Sequence, residues 1–251
     1  MIKFFRSIRK SLLNENRTGK YLKYAIGEVL LVVIGILIAL QINNWNAGQQ
    51  QSKKNTKLLR NLVSDIKKDI DGFTKVDSVY AIYESNAEKG LHLFYKANTV
   101  KDIDSVMQLS QTSWNELFFT SRTYDEMVNS GSMYTLDNEE LQQRISAYYT
   151  SIYANQRYIR EVNTSQRELF VQSKDMYPVF QLLSEFNDPN IGLKLLDTTW
   201  INNPNSSTYL AFSHYLNLSQ SDNNQYRRRV FRRLLKQAEA LKSKIYEEIG
   251  D

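Results

Sequence analysis

The chain of 251 residues contains no cysteine, three prolines, nine glycines and two histidines. The lack of cysteine excludes a disulfide framework and any cysteine-ligated metal site. So few prolines and glycines favour long helices over a fold with many turns. Neither His92 nor His214 lies in a metal-binding or catalytic-triad motif. We therefore expect a mainly α-helical protein that is not an enzyme and holds no cofactor and no metal.

Positive charge is concentrated at the N-terminus. The chain has a net charge of +5, but residues 1–23 alone carry seven Lys or Arg and one Glu, so the rest of the chain is close to neutral. Nucleic-acid binding needs a basic body, so we expect no nucleic-acid partner. Phe5, Ile8 and Leu12 share one helical face in this tail. We expect residues 1–23 to form a basic amphipathic cytoplasmic segment that lies on membrane lipid.

A long apolar run follows and is interrupted by one acid. Every residue from Ala25 to Leu40 is apolar or glycine except Glu28. As a helix, residues 24–45 would span about 33 Å, close to the ~30 Å of a bilayer core. Basic and aromatic residues flank the run, as at a membrane interface: Lys20, Tyr21, Lys23, Tyr24 and Trp45. We predict one transmembrane helix over residues 24–45.

The distribution of Lys and Arg predicts the orientation of this helix. Their excess before the run places the N-terminus in the cytoplasm, so residues 46–251 form an extracytoplasmic helical domain. A cleaved signal peptide is the alternative. Its basic region would be unusually long, and no small-residue cleavage site follows Trp45. We favour an uncleaved, single-pass signal anchor.

Glu28 shares a helical face with two small residues. At 100° per residue, Gly35 and Ala39 both lie about 20° from Glu28, and their spacing lets two membrane helices approach closely. Three interpretations remain open. Glu28 contacts a second helix, reaches the cytoplasmic interface, or carries protons or couples an ion. We favour a helix–helix contact, in a homo-oligomer or with another membrane protein.

The opening sequence, MIKFFRSIRKSLLNENRTGKYLKYAIGEVLLVVIGILIALQINNWN, resembles the N-terminus of a large uncharacterised family of Bacteroidota membrane proteins. The shared features are the basic start, the GKYLKYAIGE entry and the ILIALQINNWN exit. Residues 123–149, TYDEMVNSGSMYTLDNEELQQRISAYY, also resemble the middle segment of that family. The resemblance implies a bacterial inner-membrane anchor with a periplasmic helical domain. It implies no activity.

The rest of the chain predicts helices. Apolar residues spaced by three or four predict a long helix from Leu59 to Phe94. Asp137, with Glu140 three residues on, resembles a capping box and predicts the start of a second long helix. Pro178 limits that helix. Further helices are predicted over Ile103–Leu109, Tyr124–Asn129 and Ser207–Leu218, and from near Asp222 onward. The predicted fold is one N-terminal transmembrane helix followed by an extracytoplasmic α-helical bundle with long helices.

Five arginines fall within seven residues near the C-terminus: Arg227, Arg228, Arg229, Arg232 and Arg233. They could bind an acidic or phosphate-bearing partner. They could also form salt bridges with acids of the first long helix, whose candidates are Asp65, Asp69, Asp71 and Asp77. We favour intramolecular pairing, because pairs within a fold explain many charge runs.

Two weaker patterns remain. Four tyrosines cluster on the second long helix, and we favour a packed core over a ligand pocket: Tyr148, Tyr149, Tyr153 and Tyr158. Three tripeptides resemble a bacterial O-glycosylation pattern. Each consists of Asp, then Ser or Thr, then an aliphatic residue or Thr. Their hydroxyl residues are Ser78, Ser105 and Thr198.

These patterns together predict an interaction role. We expect a membrane-anchored scaffold module or an accessory subunit of a cell-envelope complex. The alternative is an extracytoplasmic ligand-sensing helical domain. Because only residues 1–23 would face the cytoplasm, a sensor of this kind would have to signal through a partner.

Overall fold

The structure is a computed structural model that describes residues 18–110, 115–172, 174–181 and 197–250. It is mainly α-helical, as predicted, and no residue in these ranges lies in a β-strand. Residues 1–17, which hold most of the predicted amphipathic segment, lie outside the described residues. The described α-helices are α1 Thr18–Phe94, α2 Val100–Leu109, α3 Arg122–Asn129, α4 Glu139–Gln172, α5 Tyr177–Gln181, α6 Ser207–Leu218 and α7 Arg227–Ile249.

Shorter helical segments connect several of these helices. Single 3-10 segments occupy Ser132–Thr135, Lys174–Met176 and Thr199–Asn202, and a π-helical segment, Ser219–Tyr226, leads from α6 into α7. Gly131 has a φ of 71°, the left-handed conformation that favours glycine, and it follows Ser130, the C-cap of α3.

The chain divides into two compact units, Met1–Lys57 and Leu58–Asp251. In the first unit, α1 carries the apolar run. Large apolar side chains from Leu22 to Ile42 are exposed, and none of the most apolar stretch is buried. By length and composition this helix could cross a membrane. The prediction of one long apolar helix near the N-terminus is confirmed.

The second unit has its main core where α1, α4 and α7 meet. The apolar positions predicted for α1 are buried there, including Leu59, Leu62, Ile66 and Phe73. Burying one such side chain stabilises the fold by about 1.5–3 kcal/mol, so the periodic positions of the three helices supply most of the driving force. From α4 and α7 the core receives Leu141, Ile145, Ile152, Ile159, Val230, Leu234, Ala238, Leu241 and Ile245.

A second, smaller core surrounds Phe94 at the C-terminal end of α1. Its ring centroid lies 4.6 Å from that of Tyr209 and 5.1 Å from that of Phe212, and the Phe212 ring meets it edge-on. Such aromatic pairs stabilise a fold beyond the area that they bury. The other buried members are Ile103, Val106, Met176, Val179, Trp200, Ile201 and Leu216.

Two predicted helix starts are wrong. The cap of α4 is Asn138, because its Oδ1 accepts a hydrogen bond from Leu141 N at 3.0 Å, and the helix begins at Glu139. Asp137 stands one residue too early for that bond. The same helix ends at Gln172, within the limit that Pro178 was predicted to set. The last α-helix begins at Arg227, because the residues after Asp222 continue the π-helical segment.

Candidate functional sites

The predicted membrane contact face lies on the apolar part of α1. Gly35 and Ala39 are exposed, and Glu28 is half-buried. A Cβ added to Gly35 would meet no atom within 4 Å. In the single chain, therefore, the space beside Gly35 is open to a second helix.

The predicted interface residues bracket the same stretch. Trp45 is 67% exposed, and Lys23 is exposed at the other end. Lys20, Tyr21 and Tyr24 belong to α1, but their side chains lie outside the described part of the chain. The helix thus separates Lys23 from Trp45 by 22 residues, or about 33 Å.

Two of the five arginines form a ladder of ion pairs between α7 and α1. Arg228 Nε lies 3.1 Å from Asp77 Oδ1, and its Nη1 lies 2.5 Å from Glu84 Oε2. Arg232 Nε lies 3.0 Å from the same Asp77 oxygen. Residues four apart on α7 share one face, as do residues seven apart on α1, so the two faces match. The hydrogen bond to Glu84 raises the pKa of Arg228, and the interaction with Asp77 adds a smaller effect in the same direction.

The other three arginines lie in different surroundings. Arg233 Nη2 donates to Asn155 Oδ1 of α4 at 2.8 Å, while Arg229 is exposed. Arg227 is 1% exposed and is the largest side chain that the fold buries completely. The run of arginines therefore contains an ion-pair ladder, an exposed residue and a buried residue with neutral neighbours.

Arg227 donates to neutral oxygens from three parts of the second unit. Its Nη1 donates to Tyr80 Oη of α1 at 3.4 Å and to the carbonyl oxygen of Asn115 at 3.2 Å. Its Nη2 donates to Asn163 Oδ1 of α4. Its Nε is buried and has no hydrogen-bond partner. A buried cation with neutral partners is unusual, since buried charges are normally paired.

Asp65 and Asp69 do not pair with the arginines, so the prediction is wrong for these two acids. They hold the start of α3 and the residues just before it against α1. Asp65 Oδ2 accepts from Thr123 Oγ1 at 2.6 Å and from Thr123 N at 3.2 Å. Asp69 Oδ1 accepts from Thr120 N at 2.7 Å, and its Oδ2 accepts from Tyr148 Oη at 3.1 Å. We call this cluster the aspartate clasp.

Burial sets the protonation of the aspartate clasp. It raises the pKa of Asp69 from 3.8 to about 6, although hydrogen bonds from Thr120 and Tyr148 act in the opposite direction. Burial also raises the pKa of Tyr148, and the charge of Asp69 adds to that effect. Lys68 Nζ lies 3.2 Å from Asp65 Oδ1, but it is mostly exposed and compensates little of the buried charge.

The tyrosines of α4 divide between core and surface. Tyr148 and Tyr149 are buried, and Tyr149 stacks on Tyr124 with ring centroids 4.1 Å apart. Tyr153 and Tyr158 are 42% and 43% exposed. The packing of Tyr148 and Tyr149 agrees with the interpretation as a core.

The three glycosylation-like residues lie on helices or at a helix start. Ser78 and Ser105 lie inside α1 and α2, where each hydroxyl donates to the backbone carbonyl four residues earlier, at 2.9 Å and 3.0 Å. Thr198 precedes the 3-10 segment Thr199–Asn202 and is half-buried. Across the described ranges, no group of three or more His, Cys, Asp or Glu is arranged to hold a metal ion.

The burial of Asp69 and Arg227 could have been predicted from the sequence. On α1, Asp69 continues the spacing of Leu62, Ile66 and Phe73, and on α7, Arg227 stands one turn before Val230. Charged residues at core positions of a helix are therefore buried here. Their hydrogen-bond partners could not be predicted in the same way. Thr120 is 51 residues from Asp69 in sequence, and Asn163 is 64 residues from Arg227.

Comparison with known proteins identifies a family. Residues 28–184 match the Family of unknown function (DUF6090). The match covers more than half of the chain, and it includes the face of Glu28 and the stretch 123–149. No curated protein matches the chain, and no solved structure matches it.

Proposed function

The chain belongs to this family of unknown function, and we propose that it is a membrane-anchored interaction or scaffold module, or an accessory subunit of a cell-envelope complex, without enzymatic activity. In this proposal residues 24–45 cross a bacterial inner membrane once. Residues 1–23 face the cytoplasm, and residues 46–251 lie in the periplasm. The resemblance of the opening to Bacteroidota membrane proteins supports this location.

Three observations support the anchor. The apolar side chains of α1 from Leu22 to Ile42 are exposed, which would be costly in water and is favourable in lipid. Seven basic residues precede the run, and an excess of this kind keeps an N-terminus in the cytoplasm. Trp45 stands where an aromatic residue would meet the outer interface of the membrane.

One observation carries the interaction role. Glu28, Gly35 and Ala39 share a stripe, and the surroundings of Gly35 are open. An acid is costly against lipid tails but is accommodated against another helix. A glycine and an alanine four residues apart let two backbones approach closely. We infer that this stripe contacts the same helix of a second copy or a helix of another membrane protein.

Crosslinking in native membranes tests this contact. The chain has no cysteine, so single cysteines can be placed at residues 28, 35 and 39, and on the opposite face at residues 30 and 37. We expect strong crosslinks from the first three positions and weak ones from the other two. Equal crosslinking on all faces, or none, would contradict the contact.

Adding bulk at Gly35 provides the matched comparison. Gly35→Ile should abolish crosslinking from residues 28 and 39, because the side chain separates the helices. Gly27→Ile adds the same bulk to the same helix, about 80° around the axis from Gly35, and a Cβ there also meets no atom in the single chain. That variant should crosslink like the parent. If both variants lose the crosslinks, the effect is on the helix itself and not on this stripe.

Glu28→Gln separates the interpretations of the acid. The substitution keeps shape and hydrogen bonding but removes the charge, so a contact role predicts crosslinks close to those of the parent. Complete loss of crosslinks would show that the charge itself holds the assembly. A proton-carrying role predicts intact crosslinks with loss of cellular function.

The ligand-sensing alternative is favoured by a separate observation, the buried guanidinium of Arg227. A sensor needs a site inside its extracytoplasmic domain, and a buried charge with neutral neighbours has unused binding capacity. A protein that stably co-purifies with the chain would favour the scaffold. A small molecule that raises the melting temperature of the protein would favour the sensor.

A further inference from the structure

The guanidinium of Arg227 has more donors than the fold engages. Arginine carries five N–H donors in a fixed plane. Three hydrogen bonds to Tyr80, Asn115 and Asn163 occupy part of the set, and they come from Nη1 and Nη2. The Nε–H is buried and unpartnered. Nε and Nη2 form one edge of the planar group, so this edge has at least one donor to spare.

The charge of Arg227 also lacks a counter-charge in the described part of the chain. Among the residues that the structure describes, no carboxylate forms an ion pair with it. The acids one turn to either side of Tyr80, Asp77 and Glu84, are both engaged by Arg228. Removing a cation from water without a counter-charge is strongly unfavourable. A fold that keeps such a cation gains when an anion joins it.

The local backbone before Arg227 is unusual. The eight residues before it form a π-helical segment, a rare conformation that often occurs at functional sites. That segment continues directly into α7, whose first residue is Arg227. The guanidinium of Arg227, the hydroxyl of Tyr80 and the amide oxygen of Asn163 meet in the interior of the second unit.

We propose that Arg227 binds a compact free carboxylate ligand inside the second unit, with its Nε–Nη2 edge facing the ligand. Carboxylates match this edge because two parallel N–H···O bonds form at once. Tyr80 and Asn163 hold the guanidinium in place and act as positioning residues. This site goes beyond the proposed anchoring role, since it lies in the second unit and does not depend on the membrane contact.

Thermal unfolding of the full-length protein in detergent tests the site. The probe is sodium acetate, titrated at constant ionic strength against sodium fluoride. Linkage predicts that the melting temperature of the parent rises by about 3–5 °C for each tenfold increase in acetate above its dissociation constant. A flat response would overturn the proposal, including the case in which a carboxylate of the chain itself already fills the site.

Variants separate binding at Arg227 from a general salt effect. Arg227→Lys keeps a charge but loses the planar edge, so its melting temperature should not respond to acetate. Arg229→Gln changes an exposed arginine of the same helix and should respond like the parent. An equal response in Arg227→Lys and the parent would contradict the site.

A milder variant covers the case in which Arg227→Lys does not fold. Tyr80→Phe removes one of the two oxygens that accept from Nη1, so the acetate concentration for half of the maximal shift should rise several-fold. An unchanged acetate response in Tyr80→Phe would contradict the assigned geometry. A shift as large with sodium chloride as with acetate would overturn the carboxylate assignment, since a halide does not use the two-donor edge.

Discussion

At the scale of single residues, the second unit buries charged side chains in its interior. Asp69 is 3% exposed and Arg227 is 1% exposed, and each occupies a helical position that its apolar neighbours predict to be core. Their hydrogen-bond partners come from other helices and segments. Buried polar groups with specific partners fix one arrangement of the helices, because any other arrangement leaves these groups unsatisfied. The aspartate clasp fixes the start of α3, and the residues just before it, against α1.

The pKa of Asp69 predicts how stability depends on pH. In the folded chain it is about 6, above the ordinary value of 3.8, so the folded state holds the proton more tightly than the unfolded state does. The contribution of Asp69 to stability therefore rises as the pH falls from about 6 to about 4, and is unfavourable at neutral pH. A difference of two units corresponds to about 2–3 kcal/mol.

Asp69→Asn tests this prediction. The amide keeps the shape, accepts from Thr120 N and donates to the Tyr148 hydroxyl, but it does not ionise. The variant should be more stable than the parent at pH 7.5, by up to about 2 kcal/mol, and similar to it near pH 4.5. Chemical denaturation between pH 4.5 and 8 measures the difference. Asp71→Asn, at an exposed position of the same helix, should follow the parent at every pH. A pH-independent difference for Asp69→Asn would refute a raised pKa.

At the scale of elements, two glycines inside α1 differ in their surroundings. A Cβ at Gly90 would lie 2.7 Å from Ser110 Oγ and 3.2 Å from Leu109 Cβ, so α2 approaches α1 closely at this point. A Cβ at Gly72 would meet nothing within 4 Å. Gly72 therefore only weakens the helix, whereas Gly90 makes the contact of the two helices possible.

Alanine substitutions at the two glycines should change the free energy of unfolding in opposite directions. Gly72→Ala should raise the free energy of unfolding by about 0.5–1 kcal/mol through helix propensity. Gly90→Ala gains the same propensity but crowds α2, and overpacking costs about 1–3 kcal/mol, so it should lower stability by about 1 kcal/mol. Urea denaturation of both variants measures the pair. A stabilising Gly90→Ala would mean that α2 moves aside without cost.

Element types were more predictable than their exact ends. The spacing of Leu59, Leu62, Ile66 and Phe73 is a property of one segment, so it predicts a helix and its buried face directly. The start of α4 depended on whether Asp137 or Asn138 turned its side chain toward the first free amides, and both residue types are good caps. The sequence alone does not decide between neighbours of equal propensity.

At the scale of the whole molecule, the chain has two units that differ in how far their apolar side chains are exposed. The first unit exposes apolar residues from Leu22 to Ile42, while the second encloses its apolar residues in two cores. Composition and periodicity were enough to predict this contrast. The C-terminal arginines were predicted to pair within the fold, and Asp77 was one of the candidate partners, but Glu84 was not. Glu84 is 144 positions from Arg228 in sequence, and only packing brings the two together.

Single-cysteine labelling tests the central claim, that residues 24–45 cross the membrane with the N-terminus in the cytoplasm. Ser7→Cys marks the N-terminal segment, and Glu247→Cys marks an exposed position of α7. The cysteine-free parent gives the background signal. A membrane-impermeant maleimide is added to intact spheroplasts and, separately, to lysed ones. We predict that residue 247 is labelled in both samples and residue 7 only after lysis. Labelling of residue 7 in intact spheroplasts, or protection of residue 247, would contradict the account.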